Sequence, residues 1–343
     1  MATRPIRVMI VEDSLVVRTL LTHIIAGDPR LEVVAAVASA EEALAQLAAV
    51  RPDVISMDIR LPGMDGLEAT RQIMADQPTP IVVISASFDR NQVNPTMDAL
   101  RAGALAAVEK PVGVTDPDYR TIAAEIRTQL VIMSQVAVVR RRMRTPATGT
   151  RTAGRPRVAP RLLLCAASTG GPQALARLFG SLPGDLPLPV LLVQHMGGAF
   201  MEGFASWLDS VVPQRVRLAQ AGELPQAGTI YVAPGDRHLT LLPSGKLGLS
   251  DAEPVGGQRP AATVLFGSAA AALAVVLTGM GDDGAVGVRQ LVAAGGAAIA
   301  EHESTAVVNG MPAAAVREGA LALPLDLIGP QLRRIMAREA PAK

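Results

Sequence analysis

The stretch Leu162-Leu163-Leu164-Cys165-Ala166-Ala167-Ser168-Thr169-Gly170-Gly171-Pro172 decides how the second half of this chain folds. Its apolar run predicts a buried strand, its small residues a turn, and Pro172 the first turn of a helix. A serine at such a junction lies at the carboxyl edge of a sheet, where open α/β folds place their sites. Backbone amides and the helix amino terminus there favour negative charge developing on a reacting carbonyl. Ser and Gly are also ordinary turn residues, so a plain capped turn is the competing interpretation. The rest of the chain has to separate the two.

At 343 residues the chain has room for about two domains, each with its own core. Hydrophobic residues make up 49% of it and aromatic residues only 2%, so Ala, Val, Leu and Ile build those cores. A net charge of +1 gives no global attraction to nucleic acid or membrane. The single cysteine, Cys165, sits inside the apolar strand and reads as an inert buried thiol. Thr3-Arg4-Pro5 leads directly into a strand, with no signal segment before it. The uncharged run from Pro260 to Gly281 divides into an Ala/Gly/Ser-rich helix and a short Val-Leu strand rather than a membrane span. The expectation is a soluble, cytoplasmic protein without membrane insertion.

In residues 1–125, strand and helix alternate five times. The strands are Ile6 to Val11, Val33 to Ala36, Val54 to Met57, Ile81 to Ile84 and Ala104 to Val108. Such alternation predicts a parallel sheet with helices on both faces. Glu12, Asp13 and Asp58 all follow strands, which gathers three carboxylates at one sheet edge. Carboxylates so placed repel one another unless a hard divalent cation neutralises them, and Mg²⁺ suits an all-oxygen site. Ser85 and Lys110 add a hydroxyl and a positive charge at the same edge. Together these groups can receive and hold a phosphoryl group.

This first part resembles a response-regulator receiver domain, most specifically in Met57-Asp58-Ile59-Arg60-Leu61-Pro62-Gly63-Met64-Asp65-Gly66. The resemblance implies a flavodoxin-like sheet, Asp58 as phospho-acceptor, and Mg²⁺ held by Glu12, Asp13 and Asp58. It also implies Ser85 and Lys110 as phosphoryl sensors, a cis Lys110–Pro111 bond, and a histidine kinase as phosphodonor. Ala107 stands where receivers usually carry Tyr or Phe, so the aromatic readout is expected to be missing.

Residues 126–160 read as a connection. Asp118 to Arg144 predicts a last, extended helix with Ile122, Ile126, Leu130 and Met133 as its stripe. From Arg140 the composition turns to Arg, Thr, Gly and Pro, with no carboxylate between Glu125 and Asp185. Without interleaved aromatic residues, this basic run reads as a solvated linker rather than a nucleic-acid site.

A second α/β alternation occupies residues 161–343 and predicts a Rossmann-like domain. Pro189 to Gln194 is a strand ending in His195-Met196, and Phe200 to Leu208 an amphipathic helix. Gly228 to Gly235 and His238 to Leu241 suggest short strands paired across a turn. A helix over Ala262 to Ala271 and a strand over Ala274 to Leu277 lead to the loop Thr278-Gly279-Met280-Gly281-Asp282-Asp283-Gly284. Ser168, His195 and the Asp282-Asp283 pair thus follow strands of one sheet. A serine needs a base in contact, and a carboxylate on the far ring nitrogen fixes the tautomer. His23, His238 and His302 are rival bases, and only His238 shares with His195 a position near a strand end.

On Ala167-Ser168-Thr169-Gly170-Gly171, Gln194-His195-Met196, Leu277 to Ala285 and Val307-Val308-Asn309-Gly310-Met311-Pro312, this part is similar to the catalytic domain of the chemotaxis protein-glutamate methylesterases, the CheB family. The resemblance implies Ser168 as nucleophile, His195 as base and Asp283 as orienting carboxylate, with Thr169 and Met280 beside the reacting ester. It further implies hydrolysis of glutamyl methyl esters on chemoreceptors, glutamine deamidation, and control by an unphosphorylated receiver that covers the Ser168 edge. No cofactor is expected in this second site. Two departures stand out. Gly197-Gly198 replaces the usual Pro-Pro, which is expected to loosen the rim beside the base. Arg259-Pro260-Ala261-Ala262-Thr263 replaces a more polar stretch, and it is expected not to touch the triad.

Overall fold

The computed structural model describes residues 4–85, 95–111, 113, 119–136, 160–269 and 271–338. The chain divides into two compact units, Met1–Thr145 and Pro146–Lys343.

The first unit alternates as its apolar runs demand: β1 (Ile6–Val11), α1 (Leu15–Ala26), β2 (Leu31–Val37), α2 (Ala40–Val50) and β3 (Val54–Met57). It continues through α3 (Gly66–Asp76), β4 (Ile81–Ser85), α4 (Pro95–Ala102), β5 (Ala106–Glu109) and α5 (Tyr119–Met133). The sheet order is β2-β1-β3-β4-β5 with every neighbouring pair parallel. This is the doubly wound, flavodoxin-like arrangement. Strands β3 and β4 are buried along their whole length, as parallel strands covered on both faces must be. Side-chain caps start the helices: Ser14 accepts from Val17 N, Ser39 from Glu42 N, and Asp65 from Glu68 N.

Two expectations for this unit change. Helix α5 ends at Met133, because Gln135 N and Val136 N turn back to the carbonyls three residues earlier. Arg140 to Arg144 lies outside the described residues. The Lys110–Pro111 bond is trans, the form X-Pro bonds prefer; among the described residues only Arg259–Pro260 is cis.

The second unit begins with β6 (Leu162–Ala167), α6 (Gly171–Gly180), β7 (Val190–Gln194), α7 (Met201–Val211) and β8 (Arg215–Leu218). Then come β9 (Thr229–Val232), β10 (His238–Leu241), β11 (Leu247–Ser250), α8 (Ala262–Gly267) and β12 (Ala272–Val276). It closes with α9 (Ala285–Ala293), β13 (Ala297–Glu301), α10 (Gly310–Arg317), β14 (Leu321–Leu323) and α11 (Leu325–Arg338). The seven-stranded sheet runs β14-β13-β12-β6-β7-β9-β8, parallel throughout. From β6 the chain moves to β7 on one side and later returns to β12 on the other. The strand order therefore reverses at β6, where open α/β sheets leave a crevice at the carboxyl ends.

The expected β9–β10 pairing does not form. Strand β9 lies between β7 and β8, and β10 pairs antiparallel with β11. Pro234-Gly235-Asp236 carries the chain out of the sheet, with Asp236 in the left-handed region at φ 58°. Alternate β6 residues Leu162, Leu164 and Ala166 pack with Leu265 and Phe266 of α8, Val288 of α9 and Met311 of α10. No helix among the described residues is long and apolar enough to cross a membrane. The Pro260–Gly281 run resolves into α8 and β12.

Leu164 is fully buried in the central strand. Leu164→Ala is expected to destabilise the second unit by about 2–5 kcal/mol, read as a lower urea midpoint for its transition in the full chain. An unchanged midpoint would place the core elsewhere.

Candidate active site

The parallel register puts Ala167 opposite Gln194, so Ser168 and His195 leave neighbouring strands side by side. Strand β12 flanks β6 on its other edge and delivers the loop that carries Asp283. Ser168 N donates to Thr278 O at 3.0 Å, and Ser168 O accepts from Gly171 N at 2.8 Å. Gly170, at φ 75°, turns the chain into α6. The three sequence-predicted groups are thus gathered at one edge.

His195 Nε2 stands 2.8 Å from Asp283 Oδ2, and both side chains are more than nine-tenths buried. Asp282 is exposed, and of the two adjacent acids it is Asp283 that contacts His195. Asp283 also accepts from Ala262 N at 2.6 Å and Thr263 N at 2.9 Å, the first amides of α8. Burial pushes the Asp283 carboxyl up, but the His195 hydrogen bond and charge, with those two amides, outweigh it and hold it below the usual range. With Nε2 committed to Asp283, Nδ1 is the ring nitrogen left for Ser168. No hydrogen bond joins Ser168 Oγ to His195 among the described residues; such contacts commonly tighten only with substrate bound.

Two expectations change here. The Arg259 to Thr263 stretch does touch the triad, because α8 starts there and its amino-terminal amides grip Asp283. Thr263 Oγ1 also accepts from Gly284 N at 2.8 Å, pinning the residue after Asp283. Beside the Gly197-Gly198 rim two backbones approach closely: a Cβ on Gly235 would stand 2.3 Å from Gly198 Cα. A side chain at Gly235 would push the two backbones apart. His238 is no rival base. It is fully buried, Nδ1 accepting from Ala261 N and Nε2 facing Glu253 O.

Thr169 is buried beside Ser168, whereas Met280 is 49% exposed on the loop above it. Cys165 is buried, and burial pushes its thiol up, away from reactivity.

In the first unit, Glu12, Asp13 and Asp58 bring carboxylate oxygens within 4.8 Å of one another. Lys110 Nζ lies 2.7 Å from both Asp58 Oδ2 and Glu12 Oε2, hydrogen-bonding the first and ion-pairing with the second. Burial alone would lower the Lys110 ammonium, but these two carboxylates outweigh it and raise it. Glu12 is nevertheless pushed up, by burial first and by the Asp58 charge as well. One ammonium therefore leaves the cluster under-neutralised, and its all-oxygen donor set fits a hard divalent cation such as Mg²⁺. Ser85 ends β4 at the same edge, and its carbonyl accepts from Lys110 N at 2.8 Å. Ala107 sits half-buried in β5.

A parallel five-stranded unit with an acidic sheet edge, joined to an α/β unit with Ser, His and Asp at its switch point, defines a response regulator whose output domain is an enzyme. Residues 8–117 match the family model of the response regulator receiver domain, and residues 163–332 that of the CheB methylesterase. A protein-glutamate methylesterase/protein-glutamine glutaminase of Paramagnetospirillum magneticum is 53% identical over 96% of this chain and 97% of its own. One of Myxococcus xanthus is 44% identical over 92% of each. The crystal structure of the Thermotoga maritima CheB methylesterase catalytic domain aligns with a TM-score of 0.50 at 36% identity, covering 52% of this chain and 100% of that one. The chain belongs to the CheB methylesterase family.

A lowered carboxyl contributes stability that is complete above the unfolded aspartate value and is lost as pH falls through the folded one. The second unit is therefore expected to weaken below about pH 4, and Asp283→Asn to flatten that loss in urea titrations. An acid limb identical to wild type would rule Asp283 out as its source.

Proposed function

We propose that the chain is a phosphorylation-controlled protein-glutamate methylesterase, and also a protein-glutamine glutaminase, acting on chemoreceptors. The observation that carries this is the His195–Asp283 contact at the sheet edge where β6 delivers Ser168. Ser168 Oγ attacks the γ-carbonyl of a glutamyl methyl ester while His195 Nδ1 takes its proton. Asp283 holds the ring and stabilises the imidazolium. Backbone amides near Thr169 and Met280 face the oxyanion. His195 returns the proton to the leaving group, releasing methanol, or ammonia from a glutamine. Water, deprotonated by His195, then cleaves the acyl-enzyme and restores Ser168.

Residues 1–125 carry the control and 161–343 the hydrolysis, joined by 126–160. Asp58 accepts the phosphoryl group from a histidine kinase. Glu12, Asp13 and Asp58 would hold Mg²⁺, which supplies neutralising charge for that transfer, and Lys110 and Ser85 contact the phosphoryl oxygens. This work takes place in the cytoplasm, where receptor and kinase present their reactive segments.

Ser168→Ala is expected to cut methanol release from methylated receptor by about 10⁴-fold or more, with receptor binding retained. Activity near wild type would overturn the assignment. A small-molecule phosphodonor with Mg²⁺ is expected to raise the wild-type rate about tenfold, equivalent to about 1.4 kcal/mol of coupling. Chelating Mg²⁺ or substituting Asp58→Asn should remove that response; a response that survived both would exclude Asp58.

A further inference from the structure

Gln194 ends β7 and directly precedes His195 in the Gln194-His195-Met196 stretch. It is 1% exposed, its side chain turned away from solvent. Its Nε2 donates to Ser168 O at 2.8 Å and to His195 O at 2.9 Å. One buried amide therefore spans the main chain of the nucleophile turn and the main chain of the base. Its Oε1 has no hydrogen-bond donor among the described residues. That oxygen lies where a Cβ on Gly171 would come within 2.1 Å, at the amino end of α6. The partial positive charge of a helix amino terminus suits a carbonyl oxygen there. The amide orientation is thus fixed from both ends: reversing it would set Oε1 against two carbonyl oxygens.

We propose that Gln194 is a positioning residue of the hydrolytic site, setting the spacing of Ser168 and His195 and the tilt of the peptides that follow them. A planar trans peptide points its N–H opposite its C=O. Drawing the Ser168 carbonyl toward Gln194 consequently turns the Thr169 N–H the other way, and the His195 carbonyl fixes the Met196 N–H likewise. The Ser168 main chain is then held by three hydrogen bonds: Thr278 O on its N–H, and Gly171 N and the Gln194 side-chain Nε2 on its carbonyl. Gly171 is glycine because the amide fills the space beside it. This inference rests on the assignment of Ser168 and His195 made above.

The test uses the full chain, with methylated receptor as substrate and rates expressed per folded molecule. Gln194→Met keeps the side-chain length and removes both donors. It is expected to lower kcat by about 10–100-fold while KM stays within about twofold, as small misplacements of reacting groups do. Gln194→Glu presents a carboxylate to two carbonyl oxygens and regains one donor only when protonated. Its kcat relative to wild type is therefore expected to rise as pH falls from about 8 to about 5. An unchanged kcat per folded molecule in Gln194→Met would overturn the proposal. So would a Glu-to-wild-type ratio that stays flat with pH, since a space-filling role carries no proton dependence. Hydrolysis persisting in Ser168→Ala would instead sink the underlying assignment and this proposal with it. A dead Ser168→Ala beside a fully active Gln194→Met would remove the positioning role alone.

Discussion

The hydrogen-bonded ladder that places β6 between β12 and β7 is the constraint on which the catalytic unit depends. Parallel pairing aligns the carboxyl ends of all three strands, so whatever follows each of them meets its neighbours at one edge. Because the order reverses at β6, the helices that follow β6 and β12 lie on opposite faces and leave the crevice open between them. Ser168, His195 and Asp283 come from positions 115 residues apart along the chain (283 − 168), yet they need only short turns to converge.

Convergence is not yet a working geometry, and a surrounding frame of main-chain hydrogen bonds supplies the rest. Asp283 would be an expensive buried charge without partners. The α8 amides and the His195 ring stabilise it instead and fix its direction. Helix α8 is in turn tied down by His238, whose ring accepts from Ala261 N. Thr278 plays the same part for the nucleophile turn: its carbonyl holds Ser168 N, and its hydroxyl bonds to Thr169 O. Residues outside the proposed triad thus hold its members in place.

The receiver unit solves an opposite electrostatic problem. Its edge gathers negative charge that folding alone would disfavour, and Lys110 compensates only part of it. That residual imbalance suits the cation and the phosphoryl group proposed for this edge. A fully neutralised cluster would have little differential affinity with which to shift an equilibrium. The small Ala107 on β5 distinguishes this unit from receivers that signal through a ring at that position.

Periodicity and punctuation in the sequence were enough to determine the five-fold alternation of the first unit, the strand carrying Ser168, and the loop carrying Asp282-Asp283. Continuous apolar runs such as Leu162 to Ala167 admit little but a strand buried on both faces. Sequence patterns report what each segment buries, not which segment it meets. The partners of β9 and β10, the grip of α8 on the Asp283 carboxylate and the bridging amide of Gln194 therefore became visible only in three dimensions. Each depends on hydrogen bonds between residues distant in the chain, and a polar side chain carries no periodicity that announces its partner. Gly198 and Gly235 make the same point, since their close approach is a property of two backbones and not of either residue. The sequence by itself determined the layers and the chemistry available at their edges; tertiary structure decided which groups share a hydrogen bond, because only folding sets distance and direction.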